Sequence, residues 1–391
     1  MTRRRRPVSW AAALACLAIP AAAQEVRPFA GLDLRYGGDL LLRSDTLRTL
    51  GPFNGRDALT NSFAQGDLNA FVTADRVTVK TQLSLRQVHA PEGDAVLHGQ
   101  GAYVAQLQAL LDLDPLELHA GKFFIRFGRA NAGMPGLFST DFTADYEMPE
   151  RIGFGLRHTV TGFGAHAIGL DVFTIDGTAL SNSAVTRPRF GQRGTLRPGR
   201  IRGEHGGPGN DGQLDNAALT LTGQDMPGLP GLGYEIGWRR QPGRAAMGER
   251  TEQGGVASLA WSATPAAGWR LSPMAEHARM ENFAGGTQPV SWTSLAVELA
   301  MPGGTSAALH GTERRIGGSG RLLRGRDRLF GASVAQELAD ALPAALTATL
   351  PLLREMAAEF GWKAERARDA ATGTRRGLQA LGAELRWRRR F

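Results

Sequence analysis

From Val77 to Arg86 apolar and polar side chains alternate: Val79, Thr81, Leu83 and Leu85 share one parity, Lys80, Gln82, Ser84 and Arg86 the other. Successive strand side chains point to opposite faces, so this segment predicts a strand with one apolar and one polar face. The same period closes the chain over 378–391, where Leu381, Ala383, Leu385, Trp387 and Phe391 oppose Glu384, Arg386, Arg388 and Arg390. Further strands are predicted near 27–38, 66–74, 100–111, 116–127, 151–160, 165–175, 215–224, 231–240, 254–263, 268–282, 290–300, 304–315, 328–339 and 344–363. In 344–363 a helix competes, because Leu338, Leu342, Leu346 and Leu350 recur every four residues. Pro343 and Pro351 interrupt that helix, so a strand is expected there. In 116–127 the polar parity switches between His119 and Lys122, which predicts a bulge near Gly121.

The connections have a rhythm. Those after even-numbered strands are short, as at Asp75-Arg76, Asp112 to Pro115, Met301 to Gly303 and Asp340 to Pro343. Those after odd-numbered strands are mostly long, as at 39–65, 89–99, 128–150, 176–214 and 316–327. Short turns at one end and long loops at the other describe an all-β fold, a transmembrane antiparallel β-barrel of about 16 strands with periplasmic turns and extracellular loops. The mean hydropathy of −0.21 is compatible with this, because alternation dilutes the apolar face. Exported β-sandwich domains would also alternate, but they would not show this rhythm or an aromatic end.

The opening residues predict a secretory signal peptide over 1–23: Arg3 to Arg6 are its basic start, Val8 to Ile19 its apolar stretch and Ala21 to Ala23 its cleavage site. The barrel then spans 24–391. Removing the signal takes away Cys16, the only cysteine, which excludes disulfide frameworks and cysteine metal sites. It also takes the formal charge from +8 to +4, so nucleic acid is not an expected partner. Leu385, Trp387 and Phe391 form the expected assembly signal, read by the barrel assembly machinery. Phe391 deletion is predicted to block insertion. The expected location is the cell outer membrane, with its lipids and lipopolysaccharide as neighbours.

Gly121-Lys122-Phe123, Phe127-Gly128, Asp141-Phe142, Asp145-Tyr146-Glu147 and Glu150-Arg151-Ile152-Gly153 resemble the strand and constriction-loop region of proteobacterial outer-membrane porins. There is some likeness to the phosphate- and carbohydrate-selective porins. The resemblance covers roughly 121–183, with Phe173, Asp176, Thr178, Leu180 and Ser181. It implies a homotrimeric, water-filled channel for passive diffusion of small hydrophilic solutes and ions, with 128–150 folded inward. Asp141, Asp145, Glu147 and Glu150 would then form the loop side of a pore constriction, and Lys80, Arg86, Lys122 and Arg126 the basic wall. Opposed charges across a narrow aqueous gap set up a transverse field that sorts ions. Arg187, Arg189, Arg193, Arg197, Arg200 and Arg202 in 176–214 suggest an anion lean, if they line the mouth, or a grip on lipopolysaccharide phosphates.

Two other classes stay open: an exported structural or adhesive protein, and a barrel enzyme. The eight histidines are scattered without a metal-ligand spacing, and no pair is marked out, though His158 with Asp171 could be raised. The expectation is a channel that is not an enzyme, with no cofactor, no catalytic residues and no metal site.

Overall fold

A computed structural model describes residues 31–50, 58–318, 324–368 and 374–389. The signal segment, the start of the 27–38 strand and Phe391 lie outside the described residues.

Period-two alternation builds sixteen long strands among them: β1 Asp33–Leu50, β2 Ala58–Ala74, β3 Val77–Gln87, β4 Gln100–Asp112, β5 Leu116–Ile125, β6 Met148–Thr161, β7 Ala165–Ile175, β8 Asn216–Gln224, β9 Leu232–Gln241, β10 Glu252–Trp261, β11 Arg270–Glu281, β12 Val290–Ala300, β13 Thr305–Ile316, β14 Gly325–Glu337, β15 Met356–Arg368 and β16 Arg375–Arg389. Each pairs antiparallel with its sequence neighbours, and β16 returns to β1 from Gly38↔Arg389 to Leu50↔Gly377. The sheet is therefore a closed all-β barrel without a free edge. A two-residue piece, Ala95–Val96, adds in parallel to Asn61–Ser62.

The burial pattern is inverted relative to an ordinary core. Outward-facing Leu68, Leu83, Ile236, Leu295, Phe330, Phe360 and Leu381 are exposed, while Gln82, Ser84, Gln106, Glu235, Glu276, Thr312 and Glu384 are buried inside. Such a continuous apolar exterior requires an apolar surrounding. No helix among the described residues is long and apolar enough to cross a membrane.

Four expectations need correction. The connection expected over 39–65 is much shorter, because β1 runs to Leu50 and β2 starts at Ala58. There Leu40 and Leu42 alternate with Leu41 and Arg43, and full pairing satisfies this backbone. The strand expected over 344–363 begins only at Met356; Leu338–Ala341 and Ala344–Thr349 are helical and Pro351–Glu355 is a 3-10 turn. Pro343 caps the second piece and Pro351 opens the third, so the prolines divide the helix into short turns instead of abolishing it. The short connection expected at 340–343 is thus a helical one over 338–355. The bulge expected near Gly121 lies slightly later, where the β5–β6 register shifts between Phe123 and Ile125, although Gly121 has the left-handed φ of 129°.

Candidate functional site

The residues between β5 and β6 leave the wall and run through the bore. Glu235 on β9 starts this path, accepting from Arg126 Nε at 2.6 Å and from the Gly128 amide at 2.8 Å. Glu276 on β11 accepts from the Arg129 amide at 2.5 Å, the Ala130 amide at 3.0 Å and the Tyr146 hydroxyl at 2.5 Å, so one carboxylate holds both limbs of the segment. Charge-assisted bonds of this kind stabilise by about 1.5–3 kcal/mol each.

The tip reaches the far wall. Leu137 and Phe138 pack on Ala380 of β16 and Leu47 of β1, and Arg43 donates to the Leu137 carbonyl at 2.8 Å. The wall leaves space for them: a Cβ at Gly382 would stand 2.6 Å from Leu137 and 2.8 Å from Phe138, and one at Gly361 2.8 Å from Leu137. Arg43 and Lys363 lie 4.6 and 5.1 Å from the Phe138 ring, close enough for cation–π attraction. On the return limb Phe142, Tyr146 and Met148 join inward-facing Phe173, Val256, Met280, Trp292 and Leu329 in one apolar cluster. Each such side chain contributes roughly 1.5–3 kcal/mol by burial.

The predicted loop-side acids all come from this segment or its end; Glu150 meets the expected Lys122, whereas Asp141 and Asp145 meet Lys363 and Arg314, which were not expected. Asp141 meets Lys363 of β15 at 2.5 Å. Asp145 accepts from Arg314 of β13 at 2.7 Å and from the Trp292 indole at 3.1 Å. Glu147 keeps solvent access, but the protein packed around its carboxyl partly desolvates it and raises its pKa above the ordinary 4.5, despite a bond from Asn131 and the nearby charges of Arg86 and Arg151. Glu150 sits in a buried knot with Lys122 (2.9 Å) and Arg197, while Lys122 also meets Asp176 (2.7 Å) and donates to Ser181 (2.9 Å). Burial works against ionised Asp176, but bonds from Lys122, Ser181 and Thr178 outweigh it and leave its pKa low.

Of the predicted wall residues, Lys122 is the one that bonds a loop-side acid among the described residues. Lys122 pairs with Glu150 inside a largely buried cluster that joins the segment's end to the 176–214 connection. Arg86 pairs with Asp67 at 2.6 Å and Arg126 with Glu235, so neither bonds a loop-side acid. Lys80 lies over the Phe71 ring at 5.9 Å. Sequence reasoning missed Arg314, Lys363, Arg43, Glu235 and Glu276 as the residues that hold the segment. The available signal was their inward parity, which Arg314 shares with His310 and Thr312. The histidine beside Asp171 is His119, at 2.8 Å, rather than His158.

The segment's ties fall on β9 to β16 and β1, with Asp67, Gln82, Arg86 and Gln106 of β2 to β4 on the other side of the bore. Above it the 176–214 connection spans the loop end: the Ala90 amide donates to Gly194 and the Ala184 amide to Ala102, while Gly209 donates to Pro242. Arg187, Arg189, Arg193, Arg200 and Arg202 are exposed there, and Arg197 is drawn into the buried knot.

No protein-family model matches the sequence, and no curated protein matches it. Solved structures do match the fold. The outer membrane channel DcaP of Acinetobacter baumannii is 7% identical, with 92% of this chain and 98% of that chain covered at a TM-score of 0.56. OprB of Pseudomonas putida is 10% identical, with 90% and 94% covered at a TM-score of 0.57. In fold, then, the chain is a closed sixteen-strand barrel of the kind found in bacterial outer-membrane channels and porins.

Proposed function

We propose that this protein is an outer-membrane porin, a passive channel for small hydrophilic solutes and ions, and not an enzyme. The observation that carries the reading is the 128–148 segment, tied through Glu235, Glu276, Arg314 and Lys363 to inward-facing positions of the wall. On this reading a segment fixed within the bore narrows the path, and Glu147 and Arg86, which are close enough for their charges to interact, are its candidate lining. The exposed arginines over 176–214 add positive potential at the mouth, which supports an anion lean. His119, engaged by Asp171 and edge-on to Phe123 at 4.7 Å, is read as a wall residue.

The same reading includes a cleaved signal over 1–23, assembly by the barrel assembly machinery through Leu385, Trp387 and Phe391, and a homotrimer. Residues 128–150 serve as its constriction loop, with Asp141, Asp145, Glu147 and Glu150 on the loop side and Arg86 the predicted wall residue whose charge acts on Glu147. The test is planar-bilayer recording of the refolded chain. Stepwise conductance is expected, and its absence from protein that migrates as a folded barrel removes the channel reading. Reversal potential in a salt gradient then decides the lean, since clear cation preference contradicts it.

A further inference from the structure

The inward segment touches the wall at one side chain that the channel reading leaves unused, His310 on β13. It is 2% exposed, and among the described residues it is the histidine whose two ring nitrogens are both buried without a hydrogen-bond partner. A neutral imidazole carries one N–H donor and one acceptor, so both polar groups of this ring stand unsatisfied, at a cost to stability. A buried polar group kept in that condition calls for a physical reason.

Register places the ring under the tip of the segment. One inward row of the wall runs Ala296↔His310, His310↔Gly331, Gly331↔Lys363, Lys363↔Ala380 and Ala380↔Leu47, across β12 to β16 and on to β1. The tip lies along this row. Leu137 and Phe138 pack on Ala380 and Leu47, Asp141 meets Lys363, and Gly136 covers His310, so closely that an added Cβ would stand 2.6 Å from the ring Cδ2. Gly136 also has the left-handed φ of 105°, so glycine is favoured there on two grounds. On the wall side Gly331 leaves the space that the imidazole fills, since a Cβ there would run into Nε2. The ring is thus held between two glycines, one on the wall and one on the tip.

A proton taken up here meets no acceptor. The charges that reach the ring are those of Asp141 from the segment and Lys363 from β15, and Lys363 already holds Asp141. Behind them stand Glu365, 3.8 Å from Lys363, and Asp45 of β1, which Arg43 engages at 2.8 Å. On its own strand Arg314 is bound to Asp145 and Asp327, and the facing positions of β12 and β14, Ala296, Gly331 and Ser333, do not titrate. An imidazolium under the docked tip would therefore be a buried, unbonded cation in the same row as Lys363. If the tip withdraws, Gly136 uncovers the ring, and a hydrated imidazole takes a proton near pH 6.5, at about its ordinary value. We propose that His310 is an acid-sensitive latch: neutral, it seats the 136–141 tip against the wall, and protonated, it favours the state in which the tip has left. Docking is complete above that pH and is lost as pH falls through it, because the released state binds the additional proton. That release widens the bore rests on the channel reading; the release itself does not.

Two readouts on the refolded chain 24–391 test this. Cys16, the only cysteine, lies in the predicted signal, so Thr140→Cys carries a single nitroxide at the tip. Between pH 7.5 and 5.0 the mobile fraction of its spectrum is expected to rise about threefold, and single-channel conductance in planar bilayers to rise over the same range. His310→Gln and His310→Phe cannot titrate, and in both, checked as folded barrels by gel mobility, label mobility and conductance should no longer respond to pH. The same acid response in either folded variant overturns the latch, as does a label that stays immobile at pH 5.0 with His310 in place. Label release without conductance steps at any pH removes the channel reading and keeps the latch; steps of constant size with an immobile label do the reverse.

Discussion

Glu276 carries more of the site than any other single residue. Its side chain is buried on β11 and accepts from two backbone amides and a tyrosine hydroxyl, all three from the inward segment. Removing it leaves those donors unsatisfied away from water, a cost of about 2–4 kcal/mol. Glu276→Ala is therefore expected to lower the thermal transition and to make single-channel conductance larger and noisier; unchanged, quiet steps would show that the segment holds without it. Glu147 makes a pH prediction. Because its pKa is raised above 4.5, it loses its charge as pH falls while ordinary carboxylates of its type are still ionised. Reversal potentials recorded between pH 7 and 4.5 should move toward anion preference in the wild type and move less in Glu147→Gln. Asp176 behaves oppositely. Its pKa lies below the ordinary 3.8, so the stability from its bonds to Lys122 and Ser181 is complete above that value and is lost as pH falls through the lowered one. A Lys122–Asp176 contribution that vanished between pH 6 and 5 would contradict this.

At the level of elements, the segment and the wall fit through absent side chains. Gly361 on β15 and Gly382 on β16 pair in register, and together they form the dip that takes Leu137. Gly382→Leu should expel the tip and raise conductance without preventing barrel formation, read by gel mobility and bilayer recording on the same preparation. Conductance at the wild-type level would mean that the tip tolerates the larger residue by another route. The helical connection over 338–355 has its own attachment, since Glu355 accepts from the Trp387 indole at 2.9 Å. Its sequence carried both signals, leucines every four residues and two prolines. The expected strand failed because proline at the cap or first position of a helix costs no hydrogen bond, so Pro343 as cap and Pro351 as first residue restart helical turns instead of ending them.

Across the whole molecule, closure depends on β16, which pairs with β15 on one side and β1 on the other. Phe391 deletion is predicted to prevent assembly, scored as loss of the folded band and of membrane recovery; normal insertion would mean that Leu385 and Trp387 suffice. Strand number, the inside and outside faces and the loop-rich end could all be read from the chain. They follow from period two and from connection length, which are local properties of a few neighbouring residues. Lys363 was visible as a polar residue of the inward parity, and Asp141 as part of an acidic connection, but their meeting was not, because 222 residues separate them. Nor could sequence tell that Lys122 would be enclosed between Glu150 and Asp176, while Arg314 held the return limb. Alternation says which face a charge occupies; only closing the sheet decides which charges stand opposite, because that depends on the register of all sixteen strands at once.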